Sequence, residues 1–269
     1  MRPRLSAILA LVLALFAPIT TWPGTSDALV FGHHRTAVRS DPGSLFAPIG
    51  IVYGTPEAAY ATAFLIGDCH ALTVQHVFGS ARSAVGRQLI FAAGVNGPLN
   101  GWRLSRAVVV EDGGLEQAIE GHEPYAVRRA DWAVLRLEKC LGRKFGHVKL
   151  GPKLPRADET VAMAGYPIDK PLSGGLVLDP SCHILGSRGG VLLHDCAAMP
   201  GNSGSPLFRI ASDGGHQSLE VFAMDAAGHS FNVPGSDLAR PVTQYYSNYA
   251  NVALPVCDVA RLAGSDCPG

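Results

Sequence analysis

Ser203 lies in Pro200-Gly201-Asn202-Ser203-Gly204-Ser205-Pro206-Leu207-Phe208, a glycine-flanked turn ahead of an apolar run. A serine hydroxyl is a poor nucleophile at neutral pH and needs a neighbouring base, nearly always a histidine, itself oriented by a third group. The chain has 10 histidines, so context has to choose among them. His76, in "CHALTVQHVF", follows an apolar run at the point where the chain leaves a sheet, which puts its imidazole at a sheet edge. His183 and His194 flank strands beside Cys182 and Cys196 and read as structural or exposed, while His33 and His34 fall in a poorly patterned stretch. Asp131 opens "DWAVLRL", in which Ala133, Leu135 and Leu137 share one face of a strand. A carboxylate at the mouth of a buried strand is costly unless it is hydrogen-bonded, and an imidazole N–H would bond it. The alternative for Asp131 is an aspartate that caps a turn.

Taken in chain order, His76, Asp131 and Ser203 define nucleophilic acyl transfer. The order excludes the nucleophile elbow, in which serine comes first and histidine last, within G-x-S-x-G between a strand and a helix. Here Ser205 occupies the place of the last glycine, and the strand-like "PLFRI" follows.

The elements that must position these residues are strands. Short runs such as "ATAFLIG", "RAVVVE", "TVAMAGYP", "GGLVLD", "GGVLLHD" and "LEVFAMD" are bounded mostly by Gly, Pro, Asn and Asp. No amphipathic helix pattern persists through the middle of the chain, and only "CDVARLAG" near the end suits a short helix. Evenly spaced short strands indicate an all-β fold of closed or sandwiched antiparallel sheets. The stretch from Gly142 to Glu159 carries Gly, Pro and charge with little strand patterning, and is the expected linker between two strand groups.

The 269 residues allow one large domain or two small ones, and 22 basic against 22 acidic side chains give no reason to expect nucleic acid or an anionic membrane as partner. Arg2 and Arg4 precede an almost unbroken apolar run from Leu5 to Ala17. That run is shorter than the roughly 20 residues of a spanning helix and fits a secretory signal, with an exit near Ala28. Residues 1–28 are therefore expected to be removed, leaving no membrane anchor and a secreted or periplasmic protein. Six cysteines in an exported chain suggest disulfides, and neither Cys-x-x-Cys nor His-Glu-x-x-His occurs to suggest a metal.

With these motifs in place the chain resembles the chymotrypsin-like serine proteases. "LTVQH" is similar to that family's base motif, "DWAVLRL" to its aspartate strand and "GNSGSPLF" to its nucleophile loop, across about Gly50 to Leu262. "AGYP" at Ala164–Pro167 and the asparagine at 202 resemble the bacterial branch that includes glutamyl endopeptidases. The resemblance implies two six-stranded antiparallel β-barrels with a cleft between them: a first barrel over 49–141 with His76 and Asp131, a linker over 142–159, and a second barrel over 160–269 with Ser203 and a short C-terminal helix. Residues 29–48 are then an N-terminal or pro segment. The implied activity is a monomeric endopeptidase acting on protein or peptide substrates without metal or cofactor. A weak or inactive binding module on the same fold and a secreted esterase are the alternatives.

In that mechanism His76 is the base, Asp131 orients it, and the backbone amides of Gly201 and Ser203 receive the oxyanion. The pocket for the substrate side chain is expected at "DCAAM" and "AMDAAG", with Ala198, Met224 and Asp225 as its residues. Glutamyl endopeptidases carry a histidine on the second segment; Met224 and Asp225 stand there instead, and an inward Asp225 favours Lys or Arg. The digestive relatives have an aspartate where this chain has Asn202, so activation by a newly freed α-ammonium is not expected. The disulfides are expected as Cys182–Cys196, closing the hairpin "CHILGSRGGVLLHDC", Cys257–Cys267 in the tail, and Cys69–Cys140 by elimination. Because only a neutral imidazole accepts the serine proton, kcat/KM is predicted to rise with pH through one ionisation in the ordinary histidine range near 6.5. A profile that is flat from about pH 5 to 8 contradicts a histidine base.

Overall fold

The structure is a computed structural model and describes residues 35–54, 60–79, 83–97, 101–115, 129–151, 153–227, 250–256 and 259. It is mostly β, with fourteen strands among the described residues.

The first strand group runs β2 (Ile49–Tyr53), β3 (Tyr60–Leu65), β4 (His70–Thr73), β5 (Gln88–Ala93), β6 (Arg103–Asp112) and β7 (Ala133–Leu137). Alternation along β6 turns Ser105, Ala107 and Val109 inward, the period-two signature of a sheet with one dry face. The strands pair antiparallel in the order β2-β3-β4-β7-β6-β5, and β5 returns to β2 to close a six-stranded barrel. Closure requires a glycine at 50, because a Cβ there would run into the Ala92 carbonyl on the closing strand. Ile51, Phe64, Leu72, Phe91 and Leu135 are fully buried in the associated core, each contributing about 1.5–3 kcal/mol by leaving water.

The second group comprises β9 (Thr160–Gly165), β10 (Leu176–Arg188), β11 (Val191–His194), β12 (Pro206–Asp213), β13 (His216–Ala227) and β14 (Asn251–Pro255). Its strand path β10-β11-β14-β13-β12-β9 returns to β10 through the β9–β10 pairing, forming a ring of sheet. Inside it Val161, Met163, Ile184, Leu192, Leu207 and Phe222 form a second, smaller cluster. The larger apolar cluster joins the two groups, since it holds both the first barrel's residues and Tyr166, Leu176 and Phe208.

Two strands lie where sequence patterning gave none. The segment between the groups contains a one-turn helix, Gly142–Phe145, and β8 (Lys149–Leu150), which pairs parallel with β13 at Glu220 and Val221. Upstream of the first barrel, β1 (Thr36–Val38) pairs antiparallel with β10 and so belongs to the second sheet. Both strands are too short for periodicity to mark them.

Disulfides join Cys69 to Cys140 and Cys182 to Cys196, and no described cysteine is free. The first ties β4 to the chain leaving β7, strands already in register at His70 and Arg136. The second closes the β10–β11 hairpin, paired from Ile184–His194 to Arg188–Val191. Cys257–Cys267 and most of the expected C-terminal helix lie outside the described residues. Among the described residues no helix is long and apolar enough to cross a membrane.

Candidate active site

His76 begins a 3-10 turn, His76–Phe78, directly after β4. Val77 and Phe78 are buried and anchor the turn, while the imidazole remains about one-third exposed (36%). Asp131 is wholly buried ahead of β7. One oxygen, Oδ1, accepts the backbone N–H of His76 at 2.8 Å, and Oδ2 lies 2.7 Å from Nδ1 of the same residue. Two donors from one residue fix both position and tilt of the ring and offset the desolvation of the carboxylate. With the Nδ1 proton directed at Asp131, Nε2 carries the lone pair and faces Ser203 Oγ at 3.2 Å. The geometry therefore brings together His76 and Asp131 of the first barrel and Ser203 from the turn between β11 and β12.

That turn is clamped from three sides. From β3, the Thr62 N–H donates to the carbonyls of both Gly201 and Ser203 at 3.0 Å, and its hydroxyl donates to Gly201 O at 2.8 Å. From β13, Asp225 N–H donates to Ser205 O, and Gly204 N–H donates to Asp225 O, both at 2.8 Å. From the loop after β9, Ile168 N–H donates to Pro200 O at 2.7 Å. Gly201 (φ 94°) and Gly204 (φ 87°) adopt left-handed conformations that side chains disfavour. A Cβ at 204 would also strike the Thr62 carbonyl, and one at 201 the Tyr166 carbonyl. The Gly201 and Ser203 amides donate to no other group among the described residues. Asn202 is buried, and its Nδ2 donates to Ala197 O at 3.1 Å.

Of the expected pocket residues, Ala198 and Asp225 are buried with Asp225 Oδ1 3.1 Å from His194 Nε2. Met224 is also buried, and strand alternation sends it to the opposite face of β13 from Asp225. His194, read from the sequence as structural or exposed, is completely buried and faces Asp225, a contact that sequence reading did not anticipate. Its only sequence signal was its place as the last residue of the apolar run "VLLH". Asn251, opposite His194 on β14, donates to Cys196 O at 2.6 Å. His183 has a partner of its own, Asp195, with Nδ1···Oδ2 at 3.3 Å.

Beside the turn that carries Ser203, Asp169 takes the guanidinium of Arg35, whose hydrogen bond holds its carboxyl below the ordinary carboxylate range. Burial and the nearby Asp169 charge push the Tyr60 phenol up. A depressed carboxyl contributes stability above the ordinary aspartate value, near 4, and loses it as pH falls through the depressed one. Wild type is accordingly predicted to melt above Asp169→Asn at neutral pH. The gap should close below about pH 4, and thermal melts over a pH series measure it.

The chain belongs to the trypsin-like peptidase family: residues 61–214 match the model described as a trypsin-like peptidase domain. No curated protein matches the sequence. Among solved structures it is similar to a Glu endopeptidase in complex with MPD, with 17% identity, a TM-score of 0.58, and coverage of 88% of this chain and 100% of that one. It is also similar to the protease Anisep from Arthrobacter nicotinovorans, with 14% identity, a TM-score of 0.56, and coverage of 85% and 99%. A scabies mite inactivated protease paralogue shares 13% identity with a TM-score of 0.54, covering 88% and 98%. At these identities the likeness establishes the chymotrypsin-like fold.

Proposed function

We propose that the protein is an exported serine endopeptidase in which His76, Asp131 and Ser203 are the catalytic residues. The observation that carries the reading is the unbroken chain from Asp131 Oδ2 to His76 Nδ1 at 2.7 Å and from His76 Nε2 to Ser203 Oγ at 3.2 Å. Ser203 Oγ attacks the scissile carbonyl carbon as its proton passes to Nε2. The carbonyl oxygen becomes an oxyanion held by the Gly201 and Ser203 amides. When the C–N bond breaks, Nε2 returns the proton to the leaving amine and an acyl-enzyme remains. Water repeats the sequence and releases the acid, regenerating Ser203. Asp131 stays ionised and stabilises the imidazolium at each stage.

The closed ring of β9–β14 is read as the second barrel, with the first over 49–141, the connection over 142–159 and the second over 160–269. Disulfides accord with export after loss of residues 1–28. An inactivated relative on the same fold makes the fold neutral between a peptidase and a binding module. The complete His76 geometry favours the peptidase. Parallel assays of a peptide amide and the matching ester separate the classes: a peptidase cleaves both, an esterase mainly the ester, and a binding module neither.

For the substrate side chain, Ala198, Met224 and Asp225 remain the proposed pocket residues, Asp225 through its carboxylate and Met224 by packing behind the strand. Asp225 lies on β13 one residue past the Pro206–Met224 pair, and it is buried with Oδ1 facing His194 Nε2, which leaves Oδ2 as the oxygen offered to a substrate cation. Substrates with Lys or Arg before the cleaved bond are therefore predicted to be preferred over Glu. Asp225→Ala should erase that preference, costing basic substrates roughly tenfold to a hundredfold in kcat/KM. A peptide-library profile that is unchanged in this variant rules Asp225 out of the pocket.

A further inference from the structure

Asn202 offers no countercharge to a cation, so the loop carrying Gly201 has to be held by something other than a freed N-terminal amine. The segment Arg35–Ser40 supplies candidates. Arg35 forks onto Asp169, with Nη1 to Oδ1 at 3.1 Å and Nη2 to Oδ2 at 2.7 Å. The two side chains are 13% and 28% exposed, which makes the pair better shielded than the exposed Arg39–Asp41 contact. Bidentate guanidinium–carboxylate pairs fix orientation as well as distance.

The strand after Arg35 reinforces the pair. Ala37 and Thr36 pair with Val177 and Leu178 of β10, whose other edge pairs with Gly165 and Ala164 of β9. Asp169 is on the loop that leaves β9, one residue beyond Ile168, and Ile168 N–H holds Pro200 O. At the far end of the segment, buried Ser40 places its hydroxyl 2.9 Å from that of Tyr166. Ser40 is itself tied to Asn96, which accepts from its N–H at 3.1 Å. The Tyr166 carbonyl in turn occupies the space that a side chain at Gly201 would need. The loop from Tyr166 to Asp169 is thus gripped at both ends by Arg35–Ser40, and between them its Ile168 N–H holds Pro200, the residue before Gly201.

We infer that Arg35 is a positioning residue for the oxyanion-binding loop, acting through Asp169, Ile168 and Pro200 as an internal cation in place of a processed N-terminal amine. The inference rests on the peptidase reading above. Its consequence is that any N-terminus leaving Arg35 in the chain supports activity, whereas loss of the Arg35 guanidinium weakens oxyanion binding without weakening ground-state substrate binding.

The test uses the full chain with Arg35→Ala, Arg35→Lys, Asp169→Asn and the Arg35→Ala/Asp169→Asn double variant. For each, kcat and KM are measured on a peptide amide, alongside inhibition by a peptide aldehyde, whose hemiacetal oxygen occupies the oxyanion site, and by the matching non-covalent peptide alcohol. Arg35→Ala and Asp169→Asn are expected to lower kcat and aldehyde affinity by the same factor, roughly three- to tenfold for a partly shielded ion pair. KM and alcohol affinity should stay constant, Arg35→Lys should recover part of the loss, and the double variant should be no worse than either single one. An unchanged kcat in Arg35→Ala overturns the inference, as does a loss in which aldehyde, alcohol and KM shift together. Should Arg35→Ala fail to fold, Asp169→Asn and Arg35→Lys decide by the same split. An active wild type with unaffected variants removes this inference alone, whereas a wild type that neither hydrolyses peptides nor binds the aldehyde removes the peptidase reading and this inference with it.

Discussion

Ser203→Ala is expected to lose about six orders of magnitude in kcat while its melting temperature stays near that of wild type. The stability follows from the contacts: the turn is held by the backbone groups of Gly201, Ser203, Gly204 and Ser205, none of which the substitution removes. What disappears is the atom that forms the acyl bond, so the residual rate is whatever the Gly201 and Ser203 amides give to attack by water. His76→Ala should fall to a similar floor, because a serine without a proton acceptor contributes almost nothing. Combining the two should cost little more than either alone, since residues that act as a unit are not additive. Kinetics on a peptide amide with thermal melts of each variant measure both parts. Additive losses would mean that Ser203 and His76 serve separate functions.

Asp131→Asn is expected to reduce kcat about ten-thousandfold. The carboxylate accepts from both the backbone N–H and Nδ1 of His76, at 2.8 and 2.7 Å. An asparagine has one acceptor and one donor in that place. If its oxygen keeps the backbone N–H, its amide faces Nδ1 and drives the imidazole proton to Nε2, where it opposes transfer from Ser203. The loss should appear mainly in kcat, with KM nearly unchanged, because Asp131 has no surface for substrate. Asp131→Ala should in addition destabilise the fold, by about 1–3 kcal/mol, since the part-buried His76 N–H loses this carboxylate acceptor. A variant Asp131→Asn with wild-type kcat would reduce Asp131 to a turn-capping role.

These expectations arise from residues whose roles are local enough to be written in sequence. The turn that carries Ser203 is legible because its glycines answer local demands, a left-handed backbone at 201 and 204 and no room for a Cβ. Asp131 stands out because an acid at the mouth of an apolar strand needs a partner, and the hairpin ending in Cys182 and Cys196 is visible from its length and glycines. The supports are different in kind. Thr62 binds Gly201 across 139 positions of chain, and Arg35 binds Asp169 across 134, so no spacing announces either contact. β1 has three residues, mostly exposed, and therefore no hydrophobic period to betray it. Asp225 is expected near the pocket from its segment alone, whereas its direction depends on the alternation of β13 and on His194 meeting it from β11. The neutral side chain of Asn202 was readable, and with it the expectation that no freed ammonium is paired there. Only the folded chain brings Arg35 onto Asp169.

The central claim is that Ser203 is activated by His76. Its most direct measurement is reaction with a fluorophosphonate or sulfonyl fluoride, followed by peptide mapping of the adduct. One equivalent should attach to the peptide containing Ser203 in wild type. Labelling should vanish in Ser203→Ala and slow by several orders of magnitude in His76→Ala, since the hydroxyl then has no base. Stoichiometric labelling of another serine, or a Ser203 adduct that forms equally fast without His76, would contradict the account.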